Sequence, residues 1–321
     1  MTEPRRAGVW FFVPVYLDVE SFLHLRVEIM ERLASSPAPD AEARFVVIDD
    51  SGGTDPQMEE LRPHPDVRVV TTPFNLGHQR ALVFGLRKTE PEIRPEDIVV
   101  TMDADGEDRP EDLPRLLEPL LTNASATRRV VLASRTHREV TLAFRTLYFF
   151  FKLLFRSLTG VVVRTGNYAA YRGWVVSQVL FHPHFDLCYS SSLISLNLDL
   201  YYVPCPRGRR YAGHSRMNYL KLIRHGIGML MPFLDRIAIR ALVIFSTMFG
   251  VGVLLSLLGI ALILGSRASF PWWTSLGVIA VLSFSLVSLG NFLVLFAIYA
   301  QSQSVALSSL DRGSRPDSPS R

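Results

Sequence analysis

Val46-Val47-Ile48-Asp49-Asp50-Ser51-Gly52-Gly53-Thr54-Asp55 and Val99-Val100-Thr101-Met102-Asp103-Ala104-Asp105-Gly106-Glu107-Asp108 follow one pattern. Each is a short β-branched run that breaks abruptly into carboxylates. A continuous apolar run of this length reads as a strand buried on both faces. Charges placed directly after such a strand are costly unless they are hydrated, paired or bound to a metal. Further apolar runs lie at residues 9–16, 67–70 and 130–133, beside the two quoted strands at 44–48 and 98–102. Helical stretches at 19–34, 56–61, 78–86 and 110–121 separate them. Strands alternating with helices at this spacing predict an α/β fold with a mainly parallel sheet. Ligands of such sheets bind beyond the carboxyl ends of the strands. The residues that matter are therefore 15–18, 49–55, 71–79, 103–108 and 134–136.

In Asp103-Ala104-Asp105 two carboxylates flank one small residue where a strand opens into a turn. Both can converge on a hard divalent cation, Mg²⁺ or Mn²⁺, with Glu107 as a third oxygen donor. Such an ion neutralises a diphosphate leaving group. The competing reading is a solvated turn that caps the helix starting near Pro110. No G-x-G-x-x-G follows the first strand and no G-x-x-x-x-G-K-[ST] occurs, which disfavours dinucleotide oxidoreductases and P-loop enzymes. Neither H-E-x-x-H nor paired C-x-x-C is present, so a zinc site is not expected.

The charge distribution adds a second theme. Of 321 residues, 48% are hydrophobic and 20% charged, and the mean hydropathy is +0.21. From 241 to 300 the only charged residue is Arg267. This excludes a fully soluble protein, a multi-span channel and a disordered chain. Residues 40–112 hold 18 of the 30 acids, an acidic half suited to a metal. Residues 201–240 hold eight Lys/Arg against Asp235 alone, a basic half suited to anionic lipid or phosphate. Cys188 and Cys205 read as free thiols in a reducing compartment.

Residues 241–265 and 269–300 each exceed the roughly 20 residues that cross a bilayer core. A tight turn around Ser266, Arg267 and Pro271, with Trp272 and Trp273 at interface depth, makes them a hairpin. Lys221, Arg224, Arg236 and Arg240 precede the hairpin, and Arg312, Arg315 and Arg321 follow it. The positive-inside rule places both termini in the cytoplasm. Residues 1–7 are polar, and the run 9–17 is short and holds Pro14, so no signal peptide is expected. Residues 301–321 read as a disordered tail. Residues 141–158, with Arg145, Lys152 and Arg156 opposite Leu147, Phe150, Phe151 and Leu154, and the amphipathic region 216–240 read as membrane-surface helices. The alternative for both is an ordinary helix packed on the soluble core.

Five places together resemble a known family. They are Val13-Pro14-Val15-Tyr16, Val47-Ile48-Asp49-Asp50-Ser51-Gly52, and Asn75-Leu76-Gly77-His78-Gln79-Arg80-Ala81-Leu82. The others are Met102-Asp103-Ala104-Asp105 with 108–112, and Arg210-Tyr211-Ala212-Gly213-His214-Ser215-Arg216. In order and spacing the chain resembles the family 2 glycosyltransferases of GT-A fold over residues 8–300. The nearest subgroup is the membrane-attached polyprenyl-phosphate sugar transferases, dolichol-phosphate mannosyltransferase and bacterial forms with two carboxyl-terminal spans among them. The resemblance implies a Rossmann-like nucleotide-sugar domain over 1–215, followed by interfacial helices and a transmembrane hairpin. It implies that Pro14, Tyr16 and Asp18 line the nucleotide pocket, with Asp18 where the family usually has Glu. Ile48 and Asp50 would hold the base and ribose side. Asp103, Ala104 and Asp105 would meet the sugar nucleotide, with Asp103, Asp105 and Glu107 around the metal. Arg135 would reach the donor, and Arg210 and Arg216 would grip diphosphate or acceptor phosphate. Guanidinium groups bind phosphate in bidentate fashion, which agrees independently.

Asn167 departs from the acidic residue that family members often carry there, and an amide cannot act as a base. The resemblance therefore implies inverting transfer of a sugar to a lipid phosphate, a nucleophile already anionic at neutral pH. Arg210 would stabilise the departing diphosphate. A hydroxyl acceptor, as in glycolipid or cell-envelope glycan synthesis, would instead require a base, with Asp108 the candidate. A phosphotransferase using Asp103 as nucleophile is disfavoured, because Glu107 stands where Thr or Val is expected. A non-catalytic membrane scaffold is disfavoured by the intact Asp103 and Asp105 pair. Membrane lipids are expected partners, nucleic acid is not, and a homo-oligomer is compatible with the anchored relatives.

Overall fold

The computed structural model describes residues 8–39, 41–123, 125–135, 142–162, 165–211, 219–265 and 272–303. Arg216, the turn residues 266–271 and the tail from 304 lie outside the described residues, as do the side chains of Arg145, Lys221, Trp272 and Trp273. Two compact units emerge. One carries the sheet and most of the short helices, and the other is built from 157–160 and from 233 onward.

The first unit is a seven-stranded sheet. Its strands are β1 (Gly8–Val15), β2 (Glu42–Asp49), β3 (Val67–Thr71), β4 (Ile98–Thr101), β5 (Arg129–Arg135), β6 (Thr165–Arg172) and β7 (Asp199–Cys205). They lie in the order β3-β2-β1-β4-β6-β5-β7. Only β6 runs against its neighbours. The expected α/β architecture with a mainly parallel sheet is thus present. Helices α1 (Val19–Ala34) and α3 (Leu113–Leu121) belong to one core, where Phe11 stacks on Phe45 at 5.1 Å and Phe22 meets Phe45 edge-on. Helix α2 (His78–Thr89) packs close on β2, and a Cβ on Gly85 would stand 2.3 Å from the Ile48 side chain.

The chain proceeds outward from β1 to β2 and β3, then returns to the other side of β1 as β4. Connections diverge at that point, which is where open α/β sheets hold ligands. The backbone there opens for a local reason. Val15 O accepts Asp50 N on the β2 side, whereas Phe12 O accepts Met102 N on the β4 side. Pro14 therefore aims its ring nitrogen toward β4, but the β1–β4 register ends at Phe12↔Thr101. The missing N–H falls where β4 has already turned away, so it costs no ladder bond.

Strands β6 and β7 carry no clear sequence signal. Thr165-Gly166-Asn167-Tyr168-Ala169-Ala170-Tyr171-Arg172 is buried almost throughout, so its polarity does not alternate. Strand β7 is the sheet edge, where Pro204 is tolerated because an edge N–H has no partner to lose. Cys188 and Cys205 are buried thiols, not joined in a disulfide, as expected.

Helix α4 (Leu142–Thr159) buries Phe155, while Phe149, Phe150, Leu153 and Leu154 lie exposed together. Helices α5 (Gly173–Val179) and α6 (Tyr189–Ser195) follow β6, and α7 (Tyr219–Leu230) follows β7. Phe151 packs against Gly226 of α7, and α7 exposes Ile223 and Ile227.

The second unit contains α8 (Leu234–Gly265) and α9 (Trp272–Gln303). Helix α8 begins at Leu234 rather than at 241, so the charged lead-in is already helical. Both helices are long and apolar enough to cross a membrane, with mean hydropathies of 2.5 and 2.3 over their most apolar windows. Only 11% of each window is buried, which is incompatible with core helices of a soluble domain. Small residues bring the two together. A Cβ on Gly252 would stand 1.8 Å from Ser285 Oγ, and one on Gly259 would stand 2.7 Å from Val278.

Candidate active site

The carboxyl end of β4 delivers Asp103, Ala104 and Asp105 into the crevice beside β1. Gly106, at φ +83°, turns the chain there, and a Cβ on it would stand 2.8 Å from the Tyr211 ring. That absence of a side chain lets segment 206–211 lie directly on the acidic turn. Gly208 N donates to Glu107 O at 2.9 Å and Tyr211 N to Asp105 O at 3.0 Å. A Cβ on Gly208 would stand only 2.1 Å from Gly106 O. Far from the turn, Tyr211 Oη donates to Glu28 Oε2 on α1 at 2.8 Å, and its ring lies edge-on to His24.

This docking brings two arginines onto two carboxylates. Arg210 Nη2 is 3.0 Å from Asp105 Oδ2, and Arg210 Nε donates to Glu107 Oε1 at 2.9 Å. Arg207 donates to Glu107 Oε2. Both oxygens of Glu107 are thereby engaged by guanidinium groups. Glu107, expected as a third metal ligand, pairs with Arg207 and Arg210 in this structure.

Asp103 sits deeper. Its Oδ1 accepts Asn167 Nδ2 at 3.1 Å and lies 2.8 Å from His78 Nε2 at the start of α2. Its backbone N donates to Asp108 Oδ2 at 3.0 Å, and Arg135 Nη2 donates to Asp108 Oδ1 at 3.2 Å. Gly166 gives the Arg135 side chain room, since a Cβ there would stand 2.8 Å from the guanidinium. Asp108 is buried with both oxygens engaged. Asp108, the candidate base for a hydroxyl acceptor, braces the turn through these two bonds.

The electrostatics follow from crowding. Burial acts against the Asp103 charge, but His78 and Arg135 outweigh it and hold the carboxyl below the usual range. Burial and the Asp103 charge push Asp108 up. Burial, then the charges of Asp103 and Glu107, also push Asp105 up. Burial alone would lower His78, yet the facing Asp103 raises it. Like-charge crowding of two hard carboxylates is relieved by a divalent cation, so Asp103 and Asp105 fit Mg²⁺ or Mn²⁺. Among the described residues no group of three or more His, Cys, Asp or Glu gathers for a metal. An ion held here would take two protein carboxylates and fill its other positions with phosphate oxygens and water, the usual habit of Mg²⁺.

The β1 and β2 ends frame the crevice. Tyr16 is 44% exposed, and Leu17 adopts φ +51°, a conformation unusual for leucine that lies between Tyr16 and Asp18. Asp50 Oδ1 accepts Leu76 N at 2.7 Å and Oδ2 accepts Gly77 N at 3.0 Å, so Asp50 holds the loop that starts α2. Burial nonetheless leaves the Asp50 carboxyl above its usual range. Ile48, expected on the base side, has a fully buried side chain. Pro14 and Ala104 are also buried, at the mouth of the opening between β1 and β4.

Sequence reasoning missed His78, Gln79 and Arg207 as site residues, and it read Asn167 only as a departure. His78 and Gln79 lie within the 75–82 motif, but no local spacing ties them to Asp103.

The chain is similar to an undecaprenyl-phosphate 4-deoxy-4-formamido-L-arabinose transferase of Edwardsiella ictaluri (strain 93-146), 27% identical over 300 residues, spanning 87% of this chain and 83% of the relative. A protein with the same name from Sodalis glossinidius (strain morsitans) is 26% identical over 313 residues, spanning 90% and 86%. Among solved structures, glucosyl-3-phosphoglycerate synthase from Mycobacterium tuberculosis, in complex with Mn²⁺, UDP and glucosyl-3-phosphoglycerate, superposes with a TM-score of 0.50 at 19% identity. That match covers 72% of this chain and 80% of the synthase and establishes a shared fold. The model of Glycosyl transferase family 2 matches residues 11–179, a stretch that holds Asp50, His78, Asp103, Asp105, Asp108, Arg135 and Asn167. The chain belongs to glycosyl transferase family 2.

Proposed function

We propose that this protein is a membrane-anchored, metal-dependent, inverting glycosyltransferase that moves a sugar from a nucleotide-sugar donor to a polyprenyl phosphate. The observation that carries the reading is the Asp103 and Asp105 pair set against Arg210 and Arg135 in the crevice between β1 and β4. The names of the two relatives support the acceptor class.

Asp103 and Asp105 would hold Mg²⁺ or Mn²⁺, which supplies charge neutralisation for a departing nucleoside diphosphate. Arg210 and Arg207 exchange their carboxylate partners for diphosphate oxygens when the donor enters. Guanidiniums held by Glu107 are already oriented, so little reorganisation accompanies charge development. Tyr16 and Asp18 border the nucleotide. A phosphate monoester has a second pKa of about 6, so the acceptor is largely dianionic at pH 7 and attacks without a base. This agrees with a site where Asn167 is neutral and Asp108 is engaged at both oxygens.

The exposed Phe149, Phe150, Leu153 and Leu154 of α4 and Ile223 and Ile227 of α7 lie in the membrane interface, where the acceptor phosphate sits. Helices α8 and α9 span the bilayer with both termini in the cytoplasm, following the Lys/Arg bias of their flanks. Assembly into a homo-oligomer is compatible with this arrangement.

The test uses the purified full chain in detergent with Mn²⁺ or Mg²⁺, a panel of radiolabelled sugar nucleotides, and polyprenyl phosphate added or omitted. Label in the lipid phase that requires polyprenyl phosphate, and is lost with EDTA and in Asp105→Ala, supports the reading. Donor hydrolysis without a lipid product would redirect the acceptor, and inertness toward every donor would refute the activity.

A further inference from the structure

A chain of side-chain amides runs beneath Asp103. Ser190 N, just inside α6, donates to Gln79 Oε1 at 3.0 Å, and Cys188 Sγ reaches the same oxygen at 3.4 Å. Gln79 Nε2 donates to Asn167 Oδ1. Asn167 Nδ2 donates to Asp103 Oδ1 at 3.1 Å. Thr101 Oγ1 donates to Asn167 O at 2.6 Å and pairs with Tyr189 Oη at 2.9 Å, so the Asn167 backbone is also pinned.

The direction of this relay is fixed at both ends. A backbone N–H can only donate, so Gln79 must turn its oxygen toward Ser190 and its NH₂ toward Asn167. An ionised carboxylate can only accept, so Asn167 must turn its NH₂ toward Asp103. Every bond has one consistent polarity, and reversing either amide would set two acceptors face to face. An aspartate at 167 would place a second carboxylate about 3 Å from Asp103, a like-charge contact that an amide avoids.

We propose that Gln79 is a positioning residue of the donor site. Through Asn167, and beside His78 Nε2 at 2.8 Å, it holds Asp103 Oδ1, so that Oδ2 is the oxygen offered to a divalent cation. This rests on the reading of Asp103 and Asp105 as the cation-holding pair. Partners of metal-binding side chains commonly contribute ~10-fold or more to metal affinity.

The probe is Mn²⁺ alone, titrated into the full chain in detergent and followed by the EPR signal of the free ion, with thermal melting in parallel. Gln79→Glu keeps the size of the side chain but replaces its donor by an acceptor. It should weaken Mn²⁺ binding ~10-fold with a Tm within about 3 °C of wild type. Asn167→Ala should weaken binding similarly. In an Asn167→Ala background, Gln79→Glu should then cost less than about twofold, because the relay is already cut. A purely structural role for Gln79 would give additive losses instead. Should Gln79→Glu melt far below wild type, Gln79→Met provides the same test without a charge. Wild-type Mn²⁺ affinity in the Gln79 variants, or full additivity, would overturn the relay. If Asp105→Ala left Mn²⁺ binding unchanged, or wild type bound none, the cation reading itself would fail and the relay with it.

Discussion

Replacing Gly208 by alanine would place a carbon 2.1 Å from the Gly106 carbonyl oxygen. Carbon and carbonyl oxygen approach to about 3.3 Å even in favourable contacts, so segment 206–211 must retreat by ~1.2 Å. The obstacle is backbone in a turn fixed by Gly106, so a side-chain rotation cannot absorb it. The retreat lengthens the Gly208 N to Glu107 O bond and carries Arg207 and Arg210 away from Glu107 and Asp105. A misplacement of ~1 Å in a positioned group costs up to ~100-fold in rate, or about 2.7 kcal/mol of transition-state stabilisation. The loss should appear in kcat more than in KM, since in the proposed reaction Arg210 would meet charge that develops on the leaving diphosphate. The assay is the initial rate of sugar transfer to polyprenyl phosphate over a range of donor concentrations. Gly228→Ala is the control, because nothing lies within 4 Å of a Cβ there. Gly208→Ala with kcat/KM within twofold of wild type would refute the idea that this segment positions the arginines.

Other outcomes follow from the same structure. Tyr211→Phe keeps the ring beside His24 but loses the bond to Glu28. It should lower kcat/KM by ~3-fold, the size of one hydrogen bond of about 0.7 kcal/mol, as read in the transfer assay. Asp66 accepts two bonds from Arg26, at 2.7 and 2.8 Å. Burial opposes its charge, but those bonds hold its carboxyl below the usual range. A depressed folded pKa contributes stability above the unfolded value of about 3.9, lost as pH falls through the folded one. Arg26→Ala should therefore cost about 1 kcal/mol at pH 7, and its thermal melts should approach wild type as the pH falls through the folded pKa of Asp66. Gly252→Leu should destabilise the α8–α9 hairpin by about 2 kcal/mol in detergent melts, whereas Gly250→Leu, with nothing within 4 Å of its Cβ, should be nearly neutral.

Much of the fold was legible because parallel strands buried on both faces are continuous β-branched runs. Residues 44–48 and 98–102 mark β2 and β4 almost to their ends, and α1 spans 19–34 as the apolar spacing indicates. Strand β6 escaped because Ala169 and Ala170 are small and Asn167 and Arg172 are polar, although all four are buried. Their burial is settled by neighbours in the sheet and not by local pattern. The carboxylates of the site were visible as charges after strands. Their partners were not, because Asn167 lies 64 residues from Asp103 and Arg210 lies 103 from Glu107. Glu107 illustrates the limit. Its position after Asp105 suggests a ligand, and only the docking of segment 206–211 shows that its oxygens are taken by arginines.

In the proposed reaction a sugar alone, without its phosphate, passes from donor to polyprenyl phosphate. The most direct measurement uses a nucleotide sugar labelled with ¹⁴C in the sugar and ³²P in the phosphate next to it. The account predicts ¹⁴C in the lipid phase with no accompanying ³²P, and all ³²P recovered as nucleoside diphosphate. Transfer of both labels together, or retention of ¹⁴C in water with every donor tested, would contradict it.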